Sequence, residues 1–127
     1  MSRILAGLAL ALFLASPVSA ASAISLDQPS PSLGSTVTFS TTVDPARYDC
    51  VGHARCARIE VLCYQSGSLV YGEAGALDHT FRLGGGGSIW LTVGGPADCI
   101  ANLFRFDNSG PVQTYVLFAS TSFAAGG

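Results

Sequence analysis

The chain reads as an all-β protein, an antiparallel β-sandwich of seven to eight strands behind an N-terminal signal peptide. Three observations predict this. Residues 34–43, 58–65 and 97–106 alternate apolar and polar side chains with a period of two, as half-buried strands do. Clusters of Gly, Pro, Asn and Asp punctuate the chain at the spacing of short strands. Nothing after the N-terminal apolar run shows the 3.6-residue period of a helix.

The N-terminus carries one positive charge, Arg3, ahead of an uncharged apolar run over residues 4–14. Ser16-Pro17 breaks the run, and Val18-Ser19-Ala20 supplies small residues at the cleavage positions. Residues 1–20 are therefore read as the signal peptide, with residue 23 as an alternative end after Ala21-Ser22-Ala23. The run is shorter than the roughly 20 apolar residues that span a bilayer. No cysteine follows it closely, which argues against a lipid anchor. Residues 21–127 then form a single secreted, extracellular domain with no transmembrane anchor after cleavage, large enough for a modest core.

The chain has no Lys. Without Arg3, five Arg face eight Asp and Glu. No basic patch is available to neutralise phosphates, so nucleic acid is not an expected partner.

Ile24 and Leu26 suit a short first strand, and Pro29 and Pro31 suit an edge segment after it. In residues 34–43, Val37, Phe39 and Val43 share one face, while Thr36, Thr38, Ser40 and Thr42 share the other. Residues 44–57 have no period and hold Pro45, Gly52, Cys50 and Cys56, a long loop. Residues 58–65 form a strand, Ser66-Gly67 a tight turn, and residues 68–73 the returning strand. Residues 80–83 make a short strand ended by Gly84 to Gly87. Residues 88–93 read as another, with Ile89, Leu91 and Val93 on one side. Gly94-Gly95-Pro96 turns the chain into residues 97–106, Asp107 to Pro111 turns it again, and residues 114–123 close the domain. No internal repeat is present.

Four cysteines in a short exported chain imply two disulfides with three possible connectivities. Loop-closure entropy separates the three by less than its own uncertainty. Cys63 and Cys99 lie on the inward sides of regular strands, whereas Cys50 and Cys56 share one irregular loop. Strand with strand and loop with loop meets the requirement for Cα atoms within about 7 Å most simply. Cys50–Cys63 with Cys56–Cys99, and Cys50–Cys99 with Cys56–Cys63, stay open as alternatives.

The order of features resembles an immunoglobulin-like domain. Residues 34–43 look like strand B, 58–65 like strand C, Ser66-Gly67 like the C–C′ turn, 97–106 like strand F and 114–123 like strand G. The stretches from Pro31 to Phe39, Val61 to Tyr71 and Ala97 to Phe104 are similar to small immunoglobulin-like proteins exported by actinobacteria or encoded by actinophages. The resemblance covers residues 24–123 and implies a fold, not an activity. Two departures separate the chain from antibody-type domains. Cys63 falls on strand C and not on strand B, so a Cys63–Cys99 bond would join neighbours within one sheet. Ala97 stands two before Cys99, so there is no tyrosine corner.

Leu62 and Tyr64 point away from the Cys63 side, as Ile100, Phe104 and Phe106 do from the Cys99 side. On neighbouring strands these five would give one sheet an apolar outer face, which marks a surface for a protein or other surface ligand. Cys50-x-x-His53-x-x-Cys56, with Cys63 nearby, has zinc-ligand chemistry, but an oxidising compartment favours disulfides there. His53 and His79 are the candidate general bases, with no Gly-x-Ser-x-Gly elbow beside them. Gly84 to Gly87 lacks the Lys and the helix of a phosphate loop. The expectation is a secreted, non-catalytic module without cofactor or metal, acting by surface binding in adhesion, host or envelope interaction. A small inhibitor or ligand carrier presenting the Cys50–Cys56 loop is the alternative, similar in size and architecture to chromoprotein carriers. A hydrolytic enzyme is the third.

Overall fold

Two neighbouring strands, β4 (Arg58–Gln65) and β7 (Ala97–Asp107), form the middle of a four-stranded antiparallel sheet. The computed structural model describes residues 22–43, 57–90, 95–107 and 110–127. The expected signal peptide and Cys50, His53 and Cys56 lie outside the described residues. β5 (Ser68–Gly75) pairs with β4, and β8 (Thr114–Ala125) with β7, giving the order β5-β4-β7-β8. β1 (Ala23–Leu26) pairs with β3 (Phe39–Thr42), and β2 (Thr36–Val37) pairs with β6 (Phe81–Arg82), all antiparallel. Among the described residues the fold is all-β, and no helix there is long and apolar enough to cross a membrane.

The stretch expected as one strand over residues 34–43 is divided at Thr38 into β2 and β3, which bond to different partners. At the break, Gln28 Oε1 accepts from the Thr38 amide at 2.9 Å, and the Asp27 amide donates to the Thr38 carbonyl at 3.1 Å. Thr38 and Ser40 both donate side-chain hydrogen bonds to the Asp27 carboxylate. The alternation survives the break: Val37 and Phe39 are buried, while Thr36 and Ser40 are exposed.

β4 and β5 are joined by Ser66 (φ 49°) and Gly67 (φ 82°), both in the left-handed region that a two-residue hairpin turn demands. A register shift follows at Cys63/Tyr64. Pro31 and Leu33 hold Gly126 through two backbone hydrogen bonds, so the segment after β1 closes in parallel against the end of β8.

Inward side chains of both layers form one core. Val37, Phe39, Phe81 and Leu83 come from the small sheets and the turn after β6, and Ile59, Val61, Cys63, Cys99, Ala101 and Leu103 from the large one. Phe39 meets Phe81 edge-on at 5.8 Å and Phe123 of β8 at 6.1 Å, so the two layers touch through aromatic rings. Two layers closing on one core fit a β-sandwich.

One element is corrected. The alternation predicts a strand over residues 88–93 with Ile89, Leu91 and Val93 on one side. Ser88 to Trp90 is not a strand, Ile89 is 53% exposed, and Trp90 is the fully buried residue. Residues 91–94 lie outside the described set. The indole wins the core position because it is the larger apolar body and its Nε1 finds the Gly95 carbonyl at 2.8 Å. Ser88 fixes the approach, accepting from the Trp90 amide at 3.0 Å and donating to the Val70 carbonyl.

Candidate functional site

Cys63 and Cys99 stand directly opposite each other on β4 and β7, with Cα atoms 4.0 Å apart, and are joined by a disulfide. The bond lies on the inner face and links neighbours in one sheet. With Cys63 so engaged, the alternative of a four-ligand zinc set from Cys50, His53, Cys56 and Cys63 loses a member. No cluster of metal-binding side chains occurs among the described residues.

The opposite face of this sheet carries every second residue of the central strands. Register places them in rows: Tyr64 beside Asp98, Leu62 beside Ile100, Glu60 beside Asn102, and Arg58 beside Phe104. β5 extends the rows with Leu69, Gly72 and Ala74, and β8 with Ala124, Ser122, Ser120 and Leu117. A final row joins Phe106 to Tyr115. All five residues expected on an outer face lie there. Leu62, Tyr64 and Ile100 are half-buried, and Phe106 is 38% exposed.

Phe104 is a correction, because it is buried although it lies on the outer side. The register of β7 and β8 shifts between Leu103 and Phe104, leaving Phe118 as the extra residue of β8. Beyond the shift, Tyr115 stacks on the Phe104 ring at 4.9 Å and 14°, and Phe106 meets it edge-on at 5.3 Å. The exposed apolar surface at this corner is therefore made by Phe106, Tyr115 and Leu117, the last two at 45% and 51% exposure. Sequence reasoning does not single out Tyr115 and Leu117. Their signal is the alternation at the start of β8, which the extra residue at Phe118 puts out of step with the rest of the strand.

The polar centre of the face is Glu60. Its Oε1 accepts from the Tyr115 hydroxyl at 2.7 Å and from Asn102 Nδ2 at 3.1 Å. Burial, then the bond to Glu60 and its negative charge, push the Tyr115 phenol above its ordinary range. At the other end of the face, Tyr64, Asp98, Ile100 and Ser122 line a shallow depression of about 420 Å³ beside the disulfide.

A second polar group sits at the rim of the core. Tyr71 donates to Glu73 Oε1 at 2.6 Å, and His79 Nε2 lies 2.6 Å from Glu73 Oε2. Burial pushes the Glu73 carboxyl up, but hydrogen bonds from Tyr71 and His79 and the charge of the imidazole outweigh it, and its pKa falls below the ordinary value. Tyr71 is raised, first by burial and then by its bond to Glu73 and that residue's charge. His79 also packs edge-on against Phe81 at 4.7 Å. His79 is thus committed to a carboxylate and a ring, and neither contact brings it a Ser or Cys nucleophile. A depression of about 460 Å³ beside it is lined by Tyr71, Glu73, Thr80, Arg82 and Gly85.

The outer face of the large sheet presents aromatic and aliphatic side chains with Arg58, Glu60 and Asp98 among them. No protein-family model, known protein or solved structure matches the chain.

Proposed function

We propose that this chain is an exported, non-catalytic immunoglobulin-like module of actinobacterial or actinophage type that works by surface contact. One observation carries the reading: the outer face of the β5-β4-β7-β8 sheet exposes Phe106, Tyr115 and Leu117 at one corner and half-exposes Leu62, Tyr64 and Ile100 towards the other. A two-layer domain of this size needs only one face of each sheet for its core. Apolar side chains gathered on the other face of the large sheet have a use only when that face is covered. The Thr-rich outer side of β2 and β3 shows the contrasting, water-facing composition. An immunoglobulin-like topology is supported by the pairing of the small sheets opposite the order β5-β4-β7-β8 and by the hairpin at Ser66-Gly67.

The test uses beads coated with the mature protein and cells that export it. Wild-type beads adhere, and beads coated with the double variant Phe106→Glu/Leu117→Glu lose adhesion by at least tenfold while the variant keeps its folded spectrum. Equal adhesion by both proteins would remove the face from the function.

A further inference from the structure

We infer that the occupant of the outer face is a second copy of this chain, docked face to face about a two-fold axis that runs parallel to the strands between β4 and β7. This rests on the reading of that face as a contact surface and names its partner. The argument is the row pattern. Such an axis lays β4 on the partner copy's β7 and β5 on its β8, each row meeting the same row. Leu62 then opposes Ile100, Tyr64 opposes Asp98, Glu60 opposes Asn102, and Arg58 opposes the Tyr115 ring that covers Phe104. Each contact occurs twice, as a two-fold interface requires.

Chemistry agrees at every row. A hydroxyl faces a carboxylate, a carboxamide faces a carboxylate, a guanidinium faces an aromatic ring, and two aliphatics face each other. Size agrees too. Leu69 falls on Ala124, and Gly72 and Ala74 fall on Ser122 and Ser120, so β5 and β8 meet with small residues across most of their rows. Leu117 then lies beside the Ala74 end of the opposing β5. An axis crossing the strands at the same centre would set Glu60 against Glu60, a like-charge contact in a desolvated patch. The parallel axis sets no like charges directly opposite.

The area is sufficient for a weak pair. Four strands about 4.8 Å apart, over the roughly 25 Å that the eight residues of β4 and of β5 run, give on the order of 500 Å² per copy. Two copies reach about 1,000 Å², the size of weak and transient pairs.

Sedimentation velocity of the mature protein, from about 1 to 200 µM, reads the proposal on the scale that such an interface sets. The wild type is expected to move from one chain mass to two across this range. Leu62→Glu and Ile100→Lys, each still folded by tryptophan fluorescence, are each expected to stay monomeric. An equimolar mixture of the two is expected to recover the dimer. The carboxylate introduced at position 62 of one copy meets the ammonium introduced at position 100 of the other only about the parallel axis. Leu117→Glu, at an exposed position that tolerates charge, should also stay monomeric and serves if a central variant fails to fold. A wild type monomeric throughout, a dimer indifferent to all three substitutions, or a mixture of folded variants that stays monomeric would overturn the inference. A monomer whose beads still adhere through the face would overturn it while leaving the contact function standing, with a different partner.

Discussion

Tyr115 on β8 lies flat against Phe104 on β7, with ring centroids 4.9 Å apart, and reaches past it to bond Glu60 on β4. One side chain therefore spans three strands of the sheet. It shields the aromatic ring beneath it from water and ties the edge strand to the centre.

Removing that side chain should be costly for a surface position. Tyr115→Phe keeps the stacking and loses the hydroxyl, an expected loss of about 0.5–1.5 kcal/mol. Tyr115→Ala also uncovers Phe104 and should lose about 1–3 kcal/mol in all. Urea denaturation of the two variants checks the order. Equal losses would show that the stack contributes nothing beyond the hydrogen bond.

Stability should fall at both ends of the pH scale. Glu73 and Asp27 have folded pKa values below their ordinary ones, Asp27 because Ser40 and Thr38 donate to it. Their contribution is complete above the unfolded carboxylate range and is lost as pH drops through the folded values, so acid destabilises below about pH 4.5. Tyr71 and Tyr115 are raised, so the unfolded phenols ionise first and stability declines above about pH 10. Thermal melts across pH should show Glu73→Gln with a shallower acid limb and a somewhat shallower alkaline one, because the Tyr71 phenol loses the charge that helps to raise it. An acid limb identical to wild type would mean that Glu73 is not coupled to folding.

The Cys63–Cys99 bond closes a long segment, its two residues being 36 positions apart in the chain. Cys63→Ala/Cys99→Ala should lose about 3–4 kcal/mol on the loop-entropy scale. Guanidinium denaturation of that variant, beside wild type with and without reductant, checks it. A variant as stable as the oxidised wild type would show that the hydrogen-bonded register alone fixes these strands.

Much of this was legible in the chain. The strict alternation in β4 and β7 set the inward and outward faces correctly because both strands are central, with one face in the core. The same alternation put Cys63 and Cys99 on one side, where pairing only needed the right register. Three things were not legible. The extra residue at Phe118 changes the cover of Phe104, and a bulge has no period of its own. Trp90, and not Ile89, took the core position because its ring nitrogen found a carbonyl five residues on, a contact made by tertiary structure. Glu73 and His79 meet only because the turn after β5 folds back, and Gly75 is what permits it: a Cβ there would stand 2.5 Å from the imidazole.

The position of the disulfide has a mechanical side. Under the proposed surface contact, a pulling load would enter through the ends of the chain. Tension can peel β1 from β3 and β8 from β7, but it cannot lengthen the stretch between Cys63 and Cys99 while the bond is whole. Roughly 120 Å of chain is thereby withheld from extension. The Ser66-Gly67 turn, β5, β6 and the buried Trp90 lie inside that withheld stretch, so part of the core stays tethered as a knot of residues when the edges have already given way.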